Sequence, residues 1–161
     1  MGNLRPALVA TSTAVAATAA AGAAATSDVR SAWYVSLDKP SYQPPGEVFP
    51  VAWSVLYTDI AVTSSLTLAA LRREGRADEM ARFAGALAVN LVANAAWSWV
   101  FFRWHRLATA SGVAALLAVS SADLARRARR VSPAAAAALA AYPAWCGFAT
   151  VLSTAIWRRN R

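Results

Sequence analysis

Two long stretches of this sequence carry almost no charge. Between positions 48 and 71 the only ionisable side chains are Tyr57 and Asp59, and between 83 and 102 there are none. The hydrocarbon core of a bilayer is about 30 Å thick, so a helix needs roughly 20 apolar residues to cross it. Because backbone polar groups in lipid must find partners within the protein, such a segment crosses as a helix. We therefore predict membrane-spanning helices at both places.

In the rest of the chain, arginines cluster in short turns between apolar runs, and these clusters mark the boundaries of further predicted helices. The predicted helices cover residues 7–25, 48–71, 82–102, 107–124 and 133–157, and a polar loop occupies 26–47. Ser132 and Pro133 are typical of the N-cap and the first position of a helix. The predicted fold class is all-α, an integral, multi-pass membrane bundle of five transmembrane helices that forms a single domain over residues 1–161.

The first predicted helix has two interpretations. It consists largely of alanine and threonine, with Arg5 in front and small residues behind, so it could be a cleaved signal peptide. It could equally be a retained helix whose small residues allow close packing against its neighbours.

The charge balance is strongly basic. The net charge is +8, from 16 basic and 8 acidic residues. Nucleic-acid binding could explain this excess, but so could arginines that end membrane helices and meet lipid phosphates. These arginines lie in turns and not along one face, which favours the lipid bilayer as the partner over a nucleic acid. Nine basic residues fall on one side of the five helices and seven on the other, so the orientation stays open.

Metal and disulfide chemistry have little support in the composition. The chain has one cysteine, Cys146, and one histidine, His105. We therefore expect no intrachain disulfide, no metal site and no cofactor. We also find no pairing of a nucleophile with a base that would predict conventional hydrolysis.

The loop at 26–47 combines prolines with aromatic residues. Prolines at 40, 44 and 45 prevent a helix from continuing through it, and aromatic residues at 33, 34 and 42 give it apolar surface. The loop could fold back onto the bundle as a lid over a pocket. It could also be a stiff loop whose rings lie at the level of the lipid headgroups.

The third predicted helix carries a stripe of two amides and two aromatic rings, Asn90, Asn94, Trp97 and Phe101. Asparagine facing lipid is costly, so the stripe should point into the bundle. The amides could bond across the bundle while the rings fill its core. Alternatively, the rings could stack on a flat ligand that a few polar groups orient. Comparable faces occur on the second helix (Trp53, Tyr57) and on the fifth (Tyr142, Trp145, Ala149, Leu152).

Three segments match one known family in order along the chain. Residues 33–53 read WYVSLDKPSYQPPGEVFPVAW, which resembles the TspO/MBR signature WYxxLxKPSxxPPxxxFxxxW. Residues 94–98 read NAAWS and are followed by Phe101 and Phe102, and the last helix begins after VSP at 131–133. The chain therefore resembles the TspO/MBR family over essentially its whole length. The resemblance favours a retained first helix and a loop that acts as a lid.

The resemblance also implies a ligand cavity and a function. Ligand-binding roles are implied for Tyr34, Pro44, Trp53, Asn94, Trp97, Ser98, Trp145, Ala149 and Leu152. The implied function is a membrane receptor or carrier, in a bacterial cell membrane, for porphyrins (protoporphyrin IX and haem-like tetrapyrroles) and other flat apolar ligands, in stress or tetrapyrrole regulation. One alternative is a light- and oxygen-dependent enzyme that degrades protoporphyrin, with Trp53 and Trp145 as catalytic residues. Another is a structural or partner-regulating membrane protein.

Three further expectations concern charge and assembly. Tetrapyrroles carry carboxylates, which Arg30, Lys39 or Arg103 could meet near the mouth of a pocket. Asp59 lies near mid-membrane, where an acid is either functional or bonded to a neighbouring helix, and we favour a structural role outside the pocket. The family resemblance implies a homodimer, for which the small residues Ala81, Ala84, Gly85 and Ala88 offer a seam.

Overall fold

The computed structural model describes residues 4–26 and 31–161. Its helices are α1 (Leu4–Thr26), α2 (Ala32–Ser36), α3 (Val48–Arg73), α4 (Ala77–Ser98), α5 (Leu107–Arg129), α6 (Pro133–Leu139) and α7 (Ala141–Arg159). A π-helical segment, Trp99–Arg103, continues α4. Within this part of the chain, five spans are long and apolar enough to cross a membrane, and α6 and α7 together form the last. The predicted all-α bundle of five transmembrane helices is confirmed.

Most helices run a few residues past their predicted boundaries, and α3, α5 and α7 end inside arginine clusters. Helix α5, predicted to end at 124, continues to Arg129. In its last turns, Arg126 and Arg127 fold back onto Asp123, and the Nε atom of Arg127 lies 2.5 Å from the carboxylate. Ion pairs at this spacing and basic residues near a C-terminus both stabilise a helix. These charges therefore mark the edge of the apolar span, while the helix itself continues.

The last predicted helix is interrupted near its first third. Helix α6 ends at Leu139 and α7 begins at Ala141. Pro143 lies just beyond the break, and proline has no backbone N–H with which to bond the carbonyl four residues earlier. At the start of α6, the Oγ atom of Ser132 accepts a hydrogen bond from the backbone N–H of Ala135 at 3.3 Å, as an N-cap does.

Helix α1 packs against α3 and α4. The hydroxyl of Thr11 donates to the carbonyl of Ala61 at 3.1 Å and also contacts the hydroxyl of Ser65. Farther along, the indole Nε1 of Trp99 donates to the carbonyl of Ala21 at 3.0 Å. These contacts with two other helices make α1 part of the bundle and place its C-terminal half beside the cavity described below.

The proposed dimer seam lies on the outer face of α4. Its small residues, Ala81, Ala84, Gly85 and Ala88, are all exposed. No atom lies within 4 Å of the position that a Cβ atom on Gly85 would occupy. The seam is therefore open, and dimerisation stays a prediction.

Candidate ligand cavity

A cavity of about 730 Å³ lies between the helices and the loop that precedes α3. Its volume falls within the range of roughly 300–1,000 Å³ that is usual for small-molecule sites. We call residues 31–47, including α2, the lid. Side chains of α1, the lid, α3, α4 with its π-helical segment, α5 and α7 line the cavity.

Aromatic rings form most of the cavity wall. On one side, Trp53 of α3 lies near Tyr57, with ring centroids 5.3 Å apart, while Phe49 meets Trp145 of α7 edge-on at 5.9 Å. On α4, Trp97 stacks on Phe101 at 5.3 Å with an interplanar angle of 23°. Rings arranged in this way offer flat apolar faces to a flat molecule.

A chain of hydrogen bonds begins at the cavity and crosses the bundle. The hydroxyl of Tyr57 donates to Oδ1 of Asn94 at 2.8 Å, and Nδ2 of Asn94 donates to the hydroxyl of Tyr142 at 3.1 Å. Tyr142 donates in turn to Oδ1 of Asn90 at 2.8 Å, and Nδ2 of Asn90 donates to Ser120 at 3.2 Å. The amides of the α4 stripe thus bond across the bundle, as one interpretation predicted, while Trp97 and Phe101 line the cavity and their stacking on a ligand stays a prediction.

The lid is attached to the bundle through its aromatic side chains. Trp33 stacks on His105 with centroids 3.8 Å apart and an interplanar angle of 17°. The ring of Tyr34 lies 5.5 Å from that of Phe102, and burial raises the pKa of Tyr34, an effect that a hydrogen bond with Gln43 partly offsets. Tyr34 therefore keeps its proton at neutral pH, and its ring closes one side of the cavity.

Lys39 holds the lid together and does not face the cavity. Its Nζ atom donates to the carbonyl of Tyr34 at 2.5 Å and lies 3.4 Å from the carbonyl of Leu37. The same atom lies 4.5 Å above the ring of Tyr34. Carbonyls at the C-terminal end of α2 thus bind the ammonium group of the only lysine in the sequence.

The structure brings together eight of the nine residues for which the resemblance implied ligand binding. Those that line the cavity are Tyr34, Trp53, Asn94, Trp97, Ser98, Trp145, Ala149 and Leu152. Pro44 is not among the lining residues, although its neighbours Gln43 and Gly46 are. Pro44 and Pro45 instead shape the turn, because the backbone N–H of Val48 donates to the carbonyl of Pro45 at 3.0 Å.

Of the three basic residues suggested for ligand carboxylates, the two that the structure describes do not line the cavity. Neither Lys39 nor Arg103 lines it, and Arg30 lies outside the described residues. Asp59 is also absent from the lining. Its Oδ1 atom accepts a hydrogen bond from Thr63 at 2.9 Å, whereas its buried Oδ2 atom has no hydrogen-bond partner.

Several residues that line the cavity were not predicted from the sequence. Gly22 and its neighbours on α1 lie in an alanine-rich stretch that has no distinctive face. Gln43 and Glu47 occupy unspecified positions of the family signature, so the resemblance carried no information about them. Glu47 is the one charged side chain among the described residues that line the cavity.

Two polar atoms of lining residues are buried without a hydrogen-bond partner. They are Oε1 of Gln43, an acceptor on the lid, and Nε1 of Trp97, a donor on α4. A buried polar group without a partner costs about 1–3 kcal/mol.

Comparison with known proteins places the chain in a family. The sequence profile of the TspO/MBR family matches residues 9–158. Protein CrtK of Rhodobacter capsulatus is 35% identical over 145 residues, which cover 89% of this chain and 88% of CrtK. The translocator protein of Homo sapiens is 35% identical over 134 residues, covering 80% of this chain and 75% of its own. The tryptophan-rich sensory protein of Cereibacter sphaeroides is 40% identical over 84 residues, covering 50% and 47%. The chain is therefore an integral, multi-pass membrane protein of the TspO/MBR family.

Proposed function

We propose that this protein is a receptor or carrier that binds porphyrins, such as protoporphyrin IX or haem-like tetrapyrroles, and other flat apolar ligands. We place it in a bacterial cell membrane, with a role in stress or tetrapyrrole regulation. The observation that supports this proposal is the aromatic cavity of about 730 Å³ between α3, α4, α7 and the lid.

The shape and chemistry of the cavity suit a flat molecule. The indoles of Trp53 and Trp145 and the stacked pair of Trp97 and Phe101 provide large apolar faces. Stacking on such rings contributes about 0.5–1.5 kcal/mol per pair beyond the burial of area. The few polar groups at the wall, such as Asn94, would fix the ligand's orientation.

Ala149 offers a direct test, because its small side chain lines the cavity on α7. Ala149→Leu would fill space that the ligand needs. Ala144→Leu is the matched control, since Ala144 is an exposed residue of the same helix outside the lining. In a titration of purified protein with protoporphyrin IX, followed by tryptophan fluorescence, we expect Ala149→Leu to weaken binding about tenfold or more. Equal affinities for wild type and both variants would overturn the proposed site.

A second candidate function is the light- and oxygen-dependent degradation of protoporphyrin. It is favoured by the aromatic groups around Trp53, whose ring lies 5.3 Å from Tyr57 and 6.4 Å from Tyr142. An indole beside a photoexcited porphyrin could donate an electron, while dioxygen is the oxidant that the reaction consumes.

One spectroscopic comparison separates these functions. The protein is mixed with protoporphyrin IX and followed in the dark and under light, together with Trp53→Phe and Trp145→Phe. Binding without a new absorbing product supports a receptor or carrier. A light-dependent product that requires the indoles supports the enzyme. An absence of binding would leave a structural or partner-regulating membrane protein.

A further inference from the structure

Charge is distributed unevenly around the cavity. Among the described residues that line it, Glu47 alone is charged, and it belongs to the lid just before α3 begins. No ion pair joins Glu47 to a basic residue within the described part of the chain. Basic residues are present at the same end of the bundle, but Lys39 is committed to carbonyls of the lid. Arg159 lies 3.3 Å from the carboxylate of Asp38.

A second acceptor lies close to Glu47 in the sequence. Gln43 also lines the cavity, and its Oε1 atom is buried without a donor. Its backbone N–H is held by the carbonyl of Pro40 at 3.0 Å, so a turn fixes the position of the residue. The lid therefore carries two acceptors beside the cavity, one neutral and buried and one negatively charged and exposed.

On α4, by contrast, the buried Nε1 atom of Trp97 is a donor without an acceptor. The acceptors among these polar groups thus belong to the lid, and the donor belongs to the helix.

We infer that the cavity selects flat ligands bearing an amine, amide N–H or other cationic or donor group at the lid end, and that Glu47 is the residue that discriminates against a carboxylate there. This inference rests on the proposed function, because it concerns the choice among ligands of the same cavity. It reverses the expectation that basic residues of the loop receive the carboxylates of a tetrapyrrole. A dicarboxylic porphyrin would have to keep its carboxylates away from Glu47.

Two physical effects set the size of the discrimination. Glu47 is exposed, so water and salt weaken its field beyond about 8 Å at physiological ionic strength. The protein and lipid around the mouth of the cavity have a low dielectric constant, which strengthens the interaction for a charge held close to the carboxylate. We therefore expect a moderate preference, about fivefold for a single partly exposed pair, which shrinks as salt is added.

The test uses three porphyrins that share one ring and differ in the charge of two side chains. They are protoporphyrin IX with two carboxylates, its neutral dimethyl ester, and its bis-amide carrying two tertiary amines. Affinities are measured for wild type, for Glu47→Gln and for Asp78→Asn, a control that removes an exposed acid outside the cavity lining. Wild type and the control should bind the cationic amide about fivefold more tightly than the ester, and the dicarboxylate more weakly than the ester. Glu47→Gln should remove most of this order of affinities.

The outcomes distinguish the two proposals. If the ester binds but the order of the three porphyrins is the same in Glu47→Gln as in wild type, the inference is wrong and the proposed function stands. Tighter binding of the dicarboxylate than of the ester by wild type would also overturn the inference. If none of the three porphyrins binds, the proposed function fails and the inference fails with it.

Discussion

The side-chain amide of Asn160 forms hydrogen bonds with both the backbone N–H and the backbone carbonyl of Asp38, as a neighbouring β-strand would. The backbone N–H of Asp38 donates to Oδ1 of Asn160 at 2.9 Å, and Nδ2 of Asn160 donates to the carbonyl of Asp38 at 2.9 Å. The same Nδ2 atom also donates to the carbonyl of Ile156 at 2.8 Å, near the end of α7. One side chain thus joins the middle of the lid to the last helix of the bundle.

Asn160→Ala should loosen the lid without disturbing the bundle. Removal of two hydrogen bonds, each contributing about 0.5–1.5 kcal/mol, should speed amide exchange at Asp38 and its neighbours about tenfold. Hydrogen exchange followed by mass spectrometry measures this change, and Arg161→Ala, at the exposed next position, serves as the control. Equal exchange rates in the two variants would show that Asn160 does not hold the lid.

Lys39→Met should weaken the binding of all porphyrins to a similar degree. The ammonium bonds to carbonyls at the end of α2 and lies outside the cavity lining, so its loss acts through the order of the lid. Protoporphyrin IX and its dimethyl ester should therefore lose affinity by the same factor in a fluorescence titration. A selective loss of the dicarboxylate would instead mean that Lys39 meets a ligand carboxylate.

Tyr142→Phe should destabilise the bundle more than Tyr57→Phe. The hydroxyl of Tyr142 serves both Asn94 and Asn90, and its removal leaves Nδ2 of Asn94 and Oδ1 of Asn90 without a partner, at a cost of about 2–3 kcal/mol. Tyr57 makes one such bond, to Asn94, so about 1 kcal/mol is expected there. Thermal unfolding in detergent, with Tyr42→Phe as an exposed control, gives the comparison. Equal midpoints for the variants at 142 and 57 would contradict the double role of Tyr142.

Gly85→Leu should disrupt a homodimer and leave the protomer folded. A Cβ atom at Gly85 would meet no atom of another helix within 4 Å, so we expect a larger side chain there to displace a second copy packed on α4. Gly112→Leu is matched to it, because Gly112 is equally open on α5. Light scattering or crosslinking in detergent should show fewer dimers for the first variant alone. A monomeric wild type would remove the dimer prediction altogether.

Four of the five spans were predictable because an apolar stretch of about 20 residues has few alternatives to a membrane helix, whereas the first also required the family resemblance. Their ends were less predictable. Arg126 and Arg127 bond to Asp123 and extend α5 beyond the apolar region, and Pro143 interrupts what was predicted as one helix. The positions of charged residues indicate where the membrane-spanning region ends, whereas local hydrogen bonds determine where the helix ends.

The cavity was predictable to the extent that its residues belong to a recognisable pattern. Trp53 and Trp145 lie at aromatic positions that the family resemblance assigns to a ligand site, and both line the cavity. Glu47 and Gln43 lie between such positions, and their contribution depends on how the proline turn directs them. Gly22 lines the cavity through the approach of α1, which no local pattern in an alanine-rich helix encodes.

The hydrogen-bond chain from Tyr57 to Ser120 has a mechanical consequence. It links α3, α4, α5 and α7, so a displacement of any one of these helices would break a buried bond. Helix α1 takes no part in the chain, yet Ala19, Gly22 and Ala23 form part of the cavity wall. The chain therefore fixes the aromatic walls on α3, α4 and α7 relative to one another, whereas separate contacts through Thr11 and Trp99 hold α1 to the bundle.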